Sequence, residues 1–169
     1  PLHSSAASDV YKRQDEYLAQ NIANQTDVKI ISWKGRCEVH ERFTAKEILA
    51  YKEQHKNIIV LAHPECSPEV VEVSDFTGST AGMNNYVKDR QPEKVIMVTE
   101  CSMSDNVAIE NPNVEFIRPC NLCPHMKRIT LKKIYDALRF DQYEVIVDDQ
   151  IIDKARLSID RMLEIGRQK

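Results

Sequence analysis

Three short apolar runs, at residues 57–62, 95–99 and 114–117, are each followed within a few positions by a reactive side chain: His63, then Cys101, then Cys120 and Cys123. An unbroken apolar run of this length suits a strand buried on both faces, because neither of its two side-chain rows then meets water. Segments with helical spacing stand between the runs. Residues 15–25 carry Tyr17, Leu18, Ile22 and Ala23 at helical intervals. Thr44-Ala45-Lys46-Glu47 is a capping box, in which the Thr44 hydroxyl accepts from the Glu47 amide and the Glu47 carboxylate reaches back to the Thr44 amide. Ser67-Pro68-Glu69 offers a cap, a proline at the first helical position and an acid in the first turn. Residues 28–33 and 143–147 read as strands, residues 130–138 as a helix, and a last amphipathic helix starts near Gln150 with Ile152, Ala155, Ile159, Met162 and Leu163 on one face. This alternation implies βαβ units and a mostly parallel sheet covered by helices, an α/β fold. In open α/β sheets, ligands bind beyond the carboxyl ends of the strands, where these reactive residues fall.

Composition narrows the class. A chain of 169 residues with 42% hydrophobic content can bury the core of one ordinary domain. With 23 basic against 26 acidic residues there is no positive field for a nucleic acid. The longest aliphatic run falls far short of the roughly 20 residues that cross a bilayer, so no membrane partner is expected. Five cysteines without a signal-peptide pattern point to a reducing, cytoplasmic setting and to metal or chemistry rather than a disulfide framework. Residues 1–14, small and polar, read as a non-native, disordered lead-in to be left out of fold reasoning.

The reactive residues form four groups. Cys37 lies in Trp33-Lys34-Gly35-Arg36-Cys37-Glu38-Val39-His40-Glu41, and Cys120 and Cys123 in Pro119-Cys120-Asn121-Leu122-Cys123-Pro124-His125-Met126. Taken alone, the second group admits a thioredoxin-like dithiol of Cys120 and Cys123, or a zinc module recruiting Cys66 or Cys101. Buried cysteines are also ordinary core residues, which suits Cys66, Cys101 and Cys120. His63-Pro64-Glu65 sets an imidazole and a carboxylate on a strand-end loop, a pairing suited to proton transfer and equally to a satisfied turn histidine. Asp75-Phe76-Thr77-Gly78-Ser79-Thr80 leads into a helix with free amides and hydroxyls, an anion site or a plain cap.

Together with Thr99-Glu100-Cys101-x-Met103, these motifs stand in the order and at the spacings of quinolinate synthase, and residues 15–169 resemble that family. The resemblance implies repeated three-layer αβα units with short parallel sheets about a pseudo-threefold axis. On that basis residues 15–40 end a middle layer, 41–123 form the third, and 124–169 are a tail that packs on a first layer absent from this chain. It implies condensation of iminoaspartate with dihydroxyacetone phosphate to quinolinate in NAD biosynthesis, with L-aspartate oxidase as a supplier of iminoaspartate. It also implies a [4Fe-4S] cluster with an open iron site as Lewis acid. Carried over position by position, Cys37 and Cys123 are two of three cluster ligands. Likewise His63 binds a substrate carboxylate, Glu65 is the acid/base, and Ser79 and Thr80 hold carboxylate or phosphate oxygens. With the third ligand missing, the chain alone is expected to be inactive.

Overall fold

The computed structural model describes residues 10–27 and 29–167. Strand β1 (Val10–Asp15) leads into α1 (Glu16–Ala23), and β2 (Lys29–Gly35) pairs with β1 in parallel, from Val10 opposite Lys29 to Asp15 opposite Gly35. Residues 10–14, expected to be disordered, instead form most of β1, where their backbone groups pair with those of β2. Residues 1–9 and Val28 lie outside the described residues.

Eight further elements build a second sheet and its helical cover. They are α2 (Ala45–Gln54), β3 (Ile58–Ala62), α3 (Pro68–Glu72), β4 (Phe76–Thr77), α4 (Thr80–Arg90), β5 (Lys94–Val98) and α5 (Cys101–Glu110), followed by its last strand, β6 (Glu115–Ile117). All pairings are parallel, in the order β4-β3-β5-β6. The capping box at Thr44 forms as the sequence predicts, with both reciprocal bonds present. Pro68 sits at the start of α3, but Ser67 makes no side-chain cap bond there.

The period of two along a strand divides the core between the faces of this sheet. Ile58, Val60 and Ala62 of β3 and Ile96 and Val98 of β5 pack with Val39, Phe43, Ile48, Cys66 and Val70 on one face. Leu61, Val95 and Met97 pack with Met83, Val87, Val107 and Val114 on the other. Strands β3 and β5 are thus covered on both sides, which is why their sequences are unbroken apolar runs.

The chain ends with α6 (Leu131–Phe140) and α7 (Asp149–Arg167). The strand expected at residues 143–147 is not formed. Val145 and Ile146 are 84% and 85% exposed, and β-branched side chains without a neighbouring strand have nothing to pack on. The apolar face expected on the last helix is largely open, with Ile152, Ile159 and Leu163 at 37%, 52% and 45% exposure. Met162 falls outside the described side chains. No helix among the described residues is long and apolar enough to cross a membrane.

Candidate functional site

The reactive residues gather beyond the carboxyl ends of the strands. His63 follows β3 directly, and its amide donates to the Val98 carbonyl at the end of β5 (3.2 Å). The Cys66 amide closes the next turn onto the His63 carbonyl (2.9 Å). Asn21 of α1, buried, donates from Nδ2 to the carbonyls of Pro64 (2.8 Å) and Cys66 (2.9 Å), so this turn is clamped from the other sheet's helix. Its loop carbonyls would otherwise be buried without donors.

Cys37 lies two residues past β2, and its amide donates to Asp15 Oδ2 (2.9 Å). The chain then turns through a short 3-10 segment, His40–Arg42, that buries the His40 ring. His40 Nδ1 is 3.1 Å from Glu65 Oε2, and Nε2 is 3.0 Å from Thr99 Oγ1. An ionised carboxylate can only accept, so Nδ1 carries a proton; in the neutral ring Nε2 then accepts from the threonine hydroxyl. The His63 ring stacks on that of His40, with centroids 4.4 Å apart and planes 10° from parallel. The Glu65 amide donates to His63 Nδ1 (3.3 Å), which leaves the neutral His63 ring with its proton on Nε2. Ligand atoms of Cys37, His40 and Glu65 all lie within 4.8 Å of one another.

These contacts set the protonation states. Burial, reinforced by His40 and opposed by Glu65, pushes His63 down to about 4 from an ordinary 6.5. The His40 hydrogen bond holds the Glu65 carboxyl below its usual value against its partial burial. Burial raises the Cys37 thiol, and pushes the Cys66 thiol up to about 12. Cys66 is fully buried and donates to the Val98 carbonyl, as a core thiol.

A pH dependence of stability follows. The unfolded chain protonates His63 near pH 6.5 and the folded protein only near 4, so the unfolded state binds more protons in between. Stability is therefore expected to fall as pH drops through that window, by something on the order of 2 kcal/mol. Glu65, whose folded carboxylate lies below its ordinary 4.5, extends the loss to lower pH. Urea midpoints measured across the window check this, and His63→Gln should flatten the upper part; a level wild-type profile contradicts it.

Cys123 reaches the same region from β6. Cys37 and Cys123 both pack, partly buried, against the same core cluster. Their loops meet where His125 Nε2 approaches Glu38 Oε1 at 3.3 Å. The Cys123 amide is 3.5 Å from Oε1 of Glu100, which is buried. Cys120, by contrast, is joined to Cys101 by a disulfide, and Cys37, Cys66 and Cys123 are free. The dithiol of Cys120 and Cys123 is not formed, because the neighbouring strand end presents Cys101 to Cys120 first: the Cys101 amide donates to the Asn121 carbonyl (3.3 Å). A zinc module recruiting Cys66 or Cys101 fares no better, one thiol being sealed in the core and the other oxidised.

Ser79 and Thr80 stand at the start of α4, both exposed. Ser79 Oγ accepts from the Gly82 amide (3.1 Å), leaving its hydroxyl proton to donate outward. A cleft of about 340 Å³ lies beside it, lined by Asn21, Pro64, Phe76, Thr77, Gly78 and Ser79 among others; Thr80 is not among its lining residues. A Cβ at Gly78 would lie 2.7 Å from Phe76 Cε1, so any larger residue there would push the Phe76 ring aside.

The sequence reading placed His40, Thr99, Asn21 and Asp15 in no site. His40 and Thr99 lay inside the quoted motifs, whereas nothing in the sequence singled out Asn21 or Asp15.

Comparison with known proteins draws these observations together. The family model described as quinolinate synthetase A protein matches residues 3–164. The chain is 60% identical over 151 residues to the quinolinate synthase of Sinorhizobium fredii, covering 89% of this chain and 42% of that protein. It is 58% identical over 162 residues to quinolinate synthase 1 of Mesorhizobium japonicum, covering 96% and 50%, and 58% identical over 151 residues to the Xylella fastidiosa quinolinate synthase, covering 89% and 44%. The chain thus spans about half the length, or somewhat less, of these curated relatives. A match along nearly the whole chain, over the segments that carry Cys37, His63, Glu65, Ser79 and Cys123, means that the chain belongs to the quinolinate synthetase A family.

Proposed function

We propose that this chain is the later part of a quinolinate synthase, an enzyme of NAD biosynthesis that condenses iminoaspartate with dihydroxyacetone phosphate in the cytoplasm. The observation that carries the reading is the meeting of Cys37, His40 and Glu65 within 4.8 Å, beside His63 and the loop of Cys123. Cys37 and Cys123 would hold two irons of a [4Fe-4S] cluster, with the third thiolate supplied from outside this chain. The donor set fits, being free, partly exposed thiols rather than core or oxidised ones. The raised Cys37 thiol is protonated without metal, so loading releases a proton. When bound, the cluster supplies a Lewis-acidic iron that polarises the hydroxyl lost on dehydration.

The chain's own residues supply the rest. His63 is neutral, and its Nε2–H donates to a substrate carboxylate without adding a competing acid. Glu65 rests ionised and oriented by His40, ready to take a proton and return it. The Ser79 hydroxyl and the amides and Thr80 hydroxyl opening α4 suit the carboxylate or phosphate oxygens, where the helix end favours negative charge. L-aspartate oxidase would be the supplier of iminoaspartate. With two of the three thiolates that this reading calls for, the 169-residue chain alone should show no turnover.

Anaerobic reconstitution of a full-length protein carrying this segment tests the reading by iron and sulfide counts. Cys37→Ser and Cys123→Ser should each abolish the four-iron stoichiometry, while Cys66→Ser retains it. Unchanged iron in either ligand variant, or a stoichiometric cluster with turnover in the isolated chain, defeats the proposal.

A further inference from the structure

Two carboxylates outside the roles assigned so far occupy the same place in the two sheets. Asp15 ends β1 and caps α1; β2, the parallel neighbour of β1, delivers Cys37. Glu100 follows β5 and caps α5; β6, the parallel neighbour of β5, delivers Cys123. In each case the two oxygens divide their work. Asp15 Oδ1 accepts from the Leu18 amide of its helix (2.8 Å), and Oδ2 from the Cys37 amide (2.9 Å). Glu100 Oε2 accepts from the Ser102 amide (2.8 Å), and Oε1 faces the Ser102 hydroxyl (3.4 Å), the Cys123 amide (3.5 Å) and Lys127 Nζ (3.9 Å). Both residues are buried, at 9% and 8% exposure. The isolated bridge between Glu100 and Asn121 carries the β5–β6 pairing up to the Cys123 loop.

Helix capping alone explains neither choice. A serine satisfies an N-cap as well as an acid does, and burying a carboxylate costs free energy unless both oxygens have partners. Here the main chain of a free cysteine is the second partner of Asp15 and one of three groups facing Glu100 Oε1.

We propose that Asp15 and Glu100 are positioning residues that hold the backbones of Cys37 and Cys123, and so aim the two thiols at one metal centre. This rests on the reading of those cysteines as cluster ligands. Outer-sphere partners of this kind fix the direction of a metal ligand before the metal arrives.

The test separates anchoring from capping and from the cluster. Asp15→Ser and Glu100→Ser each keep a capping oxygen but cannot reach the cysteine amide. Iodoacetamide modification of the metal-free 169-residue chain, without reductant so that Cys101–Cys120 stays joined, is followed by peptide mass spectrometry with helix content checked by circular dichroism. Asp15→Ser should speed Cys37 modification about five-fold and leave Cys123 unchanged, and Glu100→Ser should do the reverse, as expected for loss of one hydrogen bond. Should serine fail to hold the helix, Asp15→Asn and Glu100→Gln retain a single acceptor and should give the same pattern at smaller amplitude. Unchanged rates, or both thiols rising together in every variant, overturn the proposal and leave the cluster reading standing. Site-selective rates with no iron uptake by the full-length protein retire the cluster reading and leave the anchors in place.

Discussion

Glu65→Gln in a full-length protein carrying this segment is expected to lower turnover by about 10²–10⁴-fold with the fold intact. The amide has nearly the same shape, and its oxygen can still accept from His40 Nδ1, so the Thr99–His40–Glu65 line survives. What disappears is the ability to take and return a proton. The carboxylate is held ionised chiefly by its hydrogen bond from His40, so on the proposed reading it would start the cycle as a base. Product formation under anaerobic conditions, alongside circular dichroism and the iron count of the same sample, measures the effect. A variant within about three-fold of wild type, with its cluster loaded, removes Glu65 from the proton path.

Leu61→Ala should cost about 2–5 kcal/mol of stability, the range for truncating a fully buried leucine where the walls cannot collapse. Leu61 has no exposed surface and sits mid-sheet on β3, enclosed by Met83, Val87, Val95, Met97, Val107 and Val114. Flanking strands are hydrogen-bonded on both sides, through Phe76 and Met97, so the backbone has little freedom to close the void. Leu157→Ala, at 70% exposure on α7, should stay within about 0.5 kcal/mol and serves as the control. Urea unfolding of both variants decides; similar midpoints would mean that the β3 face is not the stabilising core.

The elements that sequence made legible are those decided locally. The Thr44 capping box, the apolar runs of β3 and β5, and Ser79 before α4 each depend on residues within four positions. Partners set by topology were not legible. His40 meets Thr99 across 59 positions, and nothing local to either announces the other. The Cys101–Cys120 link was missed for a related reason: cysteine spacing cannot give connectivity, and the nearer Cys120–Cys123 spacing drew the attention. Residues 143–147 misled through composition, because β propensity expresses fit to a pleated, half-buried surface and these side chains have none. The family motifs led to the right neighbourhood, since Cys37, His63 and Glu65 do converge. They did not reveal that His40 links Thr99 to Glu65, or that Asp15 and Glu100 stand behind the cysteines.

The pairing of β3 with β5 bears on how the chain reaches this state. Ile58 lies opposite Lys94 and Ala62 opposite Val98, with α3, β4 and α4 in between. Parallel neighbours cannot be joined by a tight turn, so the search for this register carries the entropy of closing a long loop before any ladder bond forms. Capped helices such as α2 and α4 can flicker early, yet neither has a sheet to rest on until that closure. Folding of the four-stranded unit should therefore be governed by encounter of distant segments rather than by local helix formation, and fall toward the slower end for its size.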